Sequence, residues 1–144
     1  MLLSYRSRSE KELQERLKKK GFSERHIAAA LQNLKQAGHL DDHTLALDLK
    51  RQAFDNRLLG HNRAKLFLLD RGVPDAIVNE TMAYDEEAET QKIQKLIEKK
   101  LKTMGACPDN RGKKKLWDFL LRKGYTYNTI KNALHNFTQV EEEE

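Results

Sequence analysis

Cysteine is nearly absent from this 144-residue chain, with Cys107 its single example. A lone thiol excludes an internal disulfide and any cysteine-rich metal site. Proline occurs only at Pro74 and Pro108, so little in the sequence breaks a helix. No stretch shows the Val/Ile/Thr alternation of a strand. No uncharged run approaches the roughly 20 residues of a membrane span. The opening Met1-Leu2-Leu3-Ser4-Tyr5-Arg6 carries its charge after too short an apolar stretch for a signal peptide. These absences predict an all-α chain in the reducing cytoplasm, away from membranes.

What is present is charge and helix-forming residues. Hydrophobic residues make up 38% and charged residues 34%, a balance suited to a thin, surface-rich helical assembly. Leu and Ala dominate the apolar set, and both favour helices. Lys and Arg number 27 against 22 Asp and Glu, giving a net charge of +5 and a pI near 9.3. That excess favours an anionic partner, either nucleic acid or an acidic protein surface. Glu141 to Glu144 read as a solvated acidic tail, which leaves the remaining body more basic than the total.

Gly21, Gly72 and Gly124 recur 51 and 52 residues apart, and such a period signals an internal repeat. Each follows a helical stripe and precedes an apolar residue, Phe22, Val73 or Tyr125. That pattern marks a Schellman helix end, where glycine adopts positive φ without a Cβ clash. Eight and four residues earlier stand Leu13 and Leu17, Ala64 and Leu68, and Leu116 and Leu120. After the glycine, Ile27, Ala30, Leu31 and Leu34 correspond to Ile130, Ala133, Leu134 and Phe137. The middle copy has Val78, Thr81, Met82 and Asp85, departing at two positions. Spacings of three and four place each set on one helix face.

Boundary residues agree. Ser9 and Glu12 form a capping box, Ser23 and Thr126 sit where they cap the next helix, and Pro74 holds the equivalent place, where a missing N–H is harmless. Gly38 closes the second helix before Leu40. A longer segment from about Asp42 to Leu58 presents Leu45, Ala46, Leu49 and Ala53, and another from about Asp85 to Met104 presents Ile93, Leu96, Ile97 and Leu101. The unit is therefore three helices, a long lead helix and a shorter hairpin. Repeat 1 spans 1–41, with its lead helix reduced to Met1–Ser7. Repeat 2 spans 42–84, repeat 3 spans 85–138, and the acidic tail is 139–144. Residues 105–112, with Gly105, Pro108, Asp109, Asn110 and Gly112, form the break inside repeat 3. Such small units need neighbours to cover their apolar stripes. Trp117 and Leu121 add a second stripe where the first copy has Gln14 and Lys18; core or inter-repeat packing is the expected role, ahead of a partner-binding anchor.

No constellation for catalysis emerges. Gly105 through Gly112-Lys113 has the wrong spacing for a phosphate loop, and no strand precedes it. His39 and His43 lie four apart but Gly38 interrupts the helix beside them, and no third ligand follows; exposed polar histidines are the expected reading. Asp41-Asp42 and Glu86-Glu87 read as residues at helix N-termini, where the helix dipole favours negative charge. Cys107 has no evident histidine partner. The chain is read as a non-enzyme without metal or cofactor.

Basic residues instead recur with the repeat. Candidate partner-binding positions are Arg16, Lys18, Lys19 and Lys20; Arg63, Lys65 and Arg71; and Lys113, Lys114, Lys115, Arg122 and Lys123. Lysines near a helix C-terminus also stabilise that helix, which covers about half of the set. Lys113 to Lys115 lie near a helix start, where positive charge is unfavourable, so a partner accounts for them better.

The runs Arg6-Ser7-Arg8-Ser9-Glu10-Lys11-Glu12-Leu13 and Leu17-Lys18-Lys19-Lys20-Gly21-Phe22-Ser23 resemble the opening of the RecX family. Leu34-Lys35-Gln36-Ala37-Gly38-His39-Leu40-Asp41-Asp42 continues the likeness. Gly60, Leu68 and Arg71-Gly72-Val73 resemble its middle repeat, and Lys115-Leu116-Trp117-Asp118-Phe119-Leu120-Leu121-Arg122-Lys123-Gly124-Tyr125 with Ile130 its last. The resemblance implies three tandem three-helix repeats in an elongated, curved arrangement. It also implies a regulator that binds RecA nucleoprotein filaments along their groove, limits filament growth and damps ATP hydrolysis and strand exchange. A monomer is expected, with any binding to naked DNA weak, non-specific and driven by phosphate neutralisation. The family offers no catalytic residues to carry over. The shortened first lead helix and the acidic end depart from its pattern.

Two other readings compete. Residues 9–20 and 24–37, joined by a glycine turn, superficially fit a helix-turn-helix acting directly on duplex DNA, with Arg25, Gln32 and Asn33 facing base edges. Threefold recurrence and the lack of a dimerisation segment speak against it. A helical-repeat scaffold unrelated to nucleic acid is the other.

Overall fold

The computed structural model describes residues 8–104 and 110–143, with side chains described as far as residue 135. The expected stub Met1–Ser7, the segment 105–109 with Cys107, and the Phe137 side chain lie outside this description. Among the described residues all regular structure is helical: α1 (Glu10–Lys19), α2 (Glu24–Gln36), α3 (Asp42–Arg51), α4 (His61–Asp70), α5 (Asp75–Thr81), α6 (Glu86–Met104), α7 (Asn110–Arg122) and α8 (Tyr127–Glu143), with a π-helical turn at Gln52–Asn56.

The repeat seen in the sequence is the repeat of the backbone. Gly21, Gly72 and Gly124 have φ of 91°, 84° and 98°. Each donates to the carbonyl three residues back, and the next residue donates to the carbonyl five back: Phe22 to Leu17 at 3.2 Å, Val73 to Leu68 at 3.2 Å, Tyr125 to Leu120 at 3.3 Å. This is the paired bonding of a Schellman end, and it satisfies carbonyls that a helix terminus otherwise leaves open. Gly38 repeats it, with His39 donating to Leu34 at 2.9 Å.

The chain divides into two compact units. The first comprises 1–51 and 65–83, with α1 against α2 and α3 against α5. Leu13, Ile27, Leu31 and Leu40 form one buried cluster, with Leu17 and Leu34 beside it. The predicted stripe Leu45, Ala46 and Leu49 is buried on α3. The Ser9 capping box is complete: Glu12 N–H donates to Ser9 Oγ and Ser9 N–H to Glu12 Oε1, both at 3.0 Å. Asp42 Oδ1 accepts from the Glu10 N–H at 3.0 Å, so a carboxylate from the start of α3 satisfies another open donor of α1.

The second unit comprises 52–64 and 84–144, where α6, α7 and α8 pack on one another. Its core is Leu58, Ile93, Leu96, Ile97, Leu116, Leu120, Tyr125, Ile130 and Ala133. The predicted α6 stripe is thus correct.

Three boundaries differ from expectation. The lead helix expected to reach Leu58 leaves α geometry at Gln52, and Leu58 itself is left-handed, with φ 51°. Two backbone carbonyls, at Leu58 and Leu59, are met by side chains instead of a helical ladder. Of the break expected over 105–112, residues 110–112 lie in α7 instead, with Gly112 buried there. Glycine there reads as a loop marker in the sequence but is a buried helical residue. Finally, α8 continues to Glu143, because nothing in Gln139-Val140-Glu141 breaks a helix. Phe22 is 53% exposed, unlike its counterparts Val73 and Tyr125, which are 3% exposed each.

Candidate partner-binding surface

In the first unit Arg16, Lys18 and Lys19 occupy the last turn of α1 and Lys20 its C-cap. All four are exposed, and their position favours the helix end by a few tenths of a kcal/mol each, about 0.3 or more. Lys65 is half-buried. Arg71 is not an open surface cation: its Nε lies 2.9 Å from Glu12 Oε2, with the two side chains only 16% and 17% exposed. Glu12 therefore holds both the Ser9 backbone and the end of α4, and Arg71 has a positioning role within its unit.

In the second unit Lys113, Lys114 and Lys115 are exposed on α7. With α7 given from Asn110, Lys113 closes its first turn and Lys114 and Lys115 begin the second. The dipole acts mainly within the first turn, so it opposes Lys113 and falls off over Lys114 and Lys115, and the exposure of all three carries the argument. Arg122 is exposed and Lys123 half-buried.

The fold brings Lys123 and Arg63 together. Gly60 N–H donates to the Lys123 carbonyl at 2.7 Å, and Gly124 abuts the Arg63 backbone and Cβ. Lys123 Nζ sits 5.7 Å from the Phe119 ring centroid and 3.4 Å from the Arg57 carbonyl. Lys100 Nζ, from α6, lies 4.6 Å from the same ring. One aromatic thus braces two ammonium groups, keeping them ordered without a carboxylate. Lys100 and Phe119 were not identified from sequence; only the three-dimensional meeting of α6 and α7 joins them.

A second missed feature lies beneath. Glu89 and Lys92, 4% and 7% exposed, form an ion pair one turn apart on α6. Lys92 Nζ also donates to the Leu59 carbonyl at 2.9 Å and sits 3.2 Å over the Phe54 ring. Glu89 Oε2 accepts the His61 N–H at 3.1 Å. Tyr125 Oη donates to the Leu58 carbonyl at 2.7 Å. Burial, with the Glu89 charge nearby, raises the Tyr125 phenol well above its usual range. The signal was available: Glu89 and Lys92 fall on the same face as Ile93, Leu96 and Ile97.

The histidines behave as surface groups. His43 lies 3.9 Å from Asp41 and 3.8 Å from Glu80, all well exposed. Among the described residues no cluster of three or more His, Cys, Asp or Glu is placed to hold a metal ion. No described helix is long and apolar enough to cross a membrane.

Family comparison converges with this geometry. Residues 1–34 match the first three-helix domain of RecX, and residues 86–134 match the third. The regulatory protein RecX of Chlorobaculum tepidum is 33% identical over 133 residues, covering 92% of this chain and 81% of that protein. The chain belongs to the RecX family. The RecX of Pelodictyon phaeoclathratiforme is 31% identical, over 92% of this chain and 82% of its own length. The longer RecX of Oceanobacillus iheyensis is 29% identical over 97% of this chain but only 52% of itself. A crystal structure of RecX from Lactobacillus salivarius shares the fold at a TM-score of 0.80 and 23% identity, over 96% of this chain and 90% of that one. All-helical RecX architecture and a regulatory family thus frame the basic surfaces.

Proposed function

We propose that this chain binds RecA nucleoprotein filaments, limits their growth and lowers their ATP hydrolysis and strand exchange. Three repeats, 1–41, 42–84 and 85–138, carry the contact, with 139–144 beyond them. The observation that carries the reading is the ordered match along nearly the whole chain to proteins named regulatory protein RecX. Exposed cations on α1 and α7 support it, since a filament of protein on DNA presents an anionic surface. The binding set is Arg16, Lys18, Lys19, Lys20, Arg63, Lys65, Lys113, Lys114, Lys115, Arg122 and Lys123. Arg71 is left out because Glu12 engages it. The protein acts as a cytoplasmic regulator without catalytic chemistry or a cofactor.

RecA-dependent ATP hydrolysis on single-stranded DNA, with and without the protein, tests this. Substoichiometric protein slows hydrolysis and shortens the filaments seen by microscopy. Unchanged hydrolysis at a concentration equal to that of RecA removes the reading.

A further inference from the structure

Three positions fixed by the repeat distinguish its third copy. Seven and three residues before the glycine, and three after it, stand Gln14, Lys18 and Glu24 in the first copy and Lys65, Leu69 and Asp75 in the second. The third copy has Trp117, Leu121 and Tyr127. In the first copy the polar residues border an open groove of about 500 Å³ between α1 and α2. In the third, Trp117 and Tyr127 meet edge to face, with centroids 4.9 Å apart at 66°. Trp117 also rests against the core of its unit. Yet Leu121 remains 44% exposed and Tyr127 62%. The first copy carries polar residues at all three places and the second at two, with Leu69 its only apolar one, so folding does not demand this apolar surface.

We infer that Trp117, Leu121 and Tyr127 form a docking patch for a protein partner whose apolar pocket is bordered by carboxylates. Charge complementarity points to that occupant. Lys113 and Lys114 stand one turn before Trp117, and Lys131 one turn after Tyr127, on the same helix faces. All three are exposed, and none makes an ion pair among the described residues. Trp and Tyr are the residues that dominate binding energy at protein interfaces. A nucleic-acid base fits less well: stacking needs a ring face, and Leu121, 44% exposed in the same patch, offers none. The inference rests on the proposed function, in which the partner is a protein surface of the RecA filament.

The test gives the third copy the residues of the first, Leu121→Lys with Tyr127→Glu, and separately makes the gentler pair Leu121→Ala with Tyr127→Ala. Trp117 is left in place because it packs on the core. Both proteins keep their melting temperature, and each needs about tenfold more protein for half-inhibition of filament ATP hydrolysis. Their binding to a labelled single-stranded oligonucleotide without RecA is unchanged. Undiminished inhibition by folded variants overturns the patch and leaves the filament reading standing. Equal loss of binding to the bare oligonucleotide makes it a nucleic-acid surface, and a wild-type dimer that the variants break makes it a self-association surface; either overturns the inference. A wild-type protein without effect on RecA removes both readings together.

Discussion

Gly60 and Gly124 meet backbone to backbone. A Cβ on Gly60 would lie 2.5 Å from the carbonyl carbon and oxygen of Gly124, and a Cβ on Gly124 would collide with Arg63. The Gly60 N–H, donating to the Lys123 carbonyl at 2.7 Å, uses the space that side chains would fill. Two glycines therefore let the segment after the π-helical turn approach the end of α7, and that approach sets Arg63 beside Lys123.

Alanine at these two sites is expected to destabilise far more than alanine at Gly21. Nothing lies within 4 Å of the Cβ position at Gly21, so Gly21→Ala costs only its positive φ, about 1–2 kcal/mol. Gly60→Ala must move backbone, and overpacking of that kind costs about 1–3 kcal/mol or more although its φ is ordinary. Gly124→Ala carries both penalties. Denaturant titration of the three variants checks the order; equal losses at Gly21 and Gly60 would show that close approach is unimportant.

The buried Lys92 should be hard to remove alone. Lys92→Met leaves Glu89 buried and uncompensated, a change worth about 3–5 kcal/mol. Adding Glu89→Gln keeps an acceptor for the His61 N–H while removing the charge, so the double variant recovers part of the loss. Tyr125→Phe leaves the Leu58 carbonyl without its donor, at about 1–3 kcal/mol. Thermal melts of the four proteins decide it, and a double variant weaker than Lys92→Met would contradict an ion-pair origin.

These sites also show what the sequence could and could not convey. Helix faces were legible because periodicity is local: Leu45, Ala46 and Leu49, or Ile93, Leu96 and Ile97, declare burial by spacing alone. Glycine helix ends were legible because positive φ selects a residue type, and it recurs at Gly21, Gly72 and Gly124. The left-handed Leu58 was hidden, since leucine carries no sign of positive φ. The Arg71–Glu12 pair was hidden too, because it joins residues 59 apart, and charge counting assigned Arg71 to the surface. Lys100 acquires its neighbour Phe119 only when α6 packs on α7.

Adjacent aspartates should respond oppositely to acid. Hydrogen bonds from the Thr44 side chain and backbone hold Asp41 below its ordinary value of 3.8, so its contribution is full above that value and is lost as pH falls from there through the lower folded one. Burial raises Asp42, so its contribution is full below the ordinary value and is lost as pH rises through the folded one. Asp41→Ala is therefore less stable than wild type at neutral pH, with the gap closing in acid. Asp42→Asn keeps an acceptor for the Glu10 N–H and is at least as stable at neutral pH, losing that advantage in acid. Urea midpoints from about pH 3 to pH 7 measure both; gaps of the same sign for the two variants would refute the assignment.

Reversing Lys113, Lys114 and Lys115 to Glu together should weaken filament inhibition with little change in helicity or melting temperature. The three side chains are exposed across the first and second turns of α7 and make no ion pair among the described residues. Folding therefore loses no specific contact when they change sign, and glutamate toward a helix N-terminus is mildly favourable, by a few tenths of a kcal/mol (about 0.3). Any lost inhibition reports electrostatic steering or contact with the partner, which weakens further as salt rises. The matched control reverses Lys18, Lys19 and Lys20, which favour the C-terminal end of α1; that variant gives up some stability as well as charge. Comparing both variants at low and physiological salt separates the effects. If the Lys113–Lys115 variant inhibits RecA normally at physiological salt, these lysines are a solvated face and the contact lies on other residues of the set.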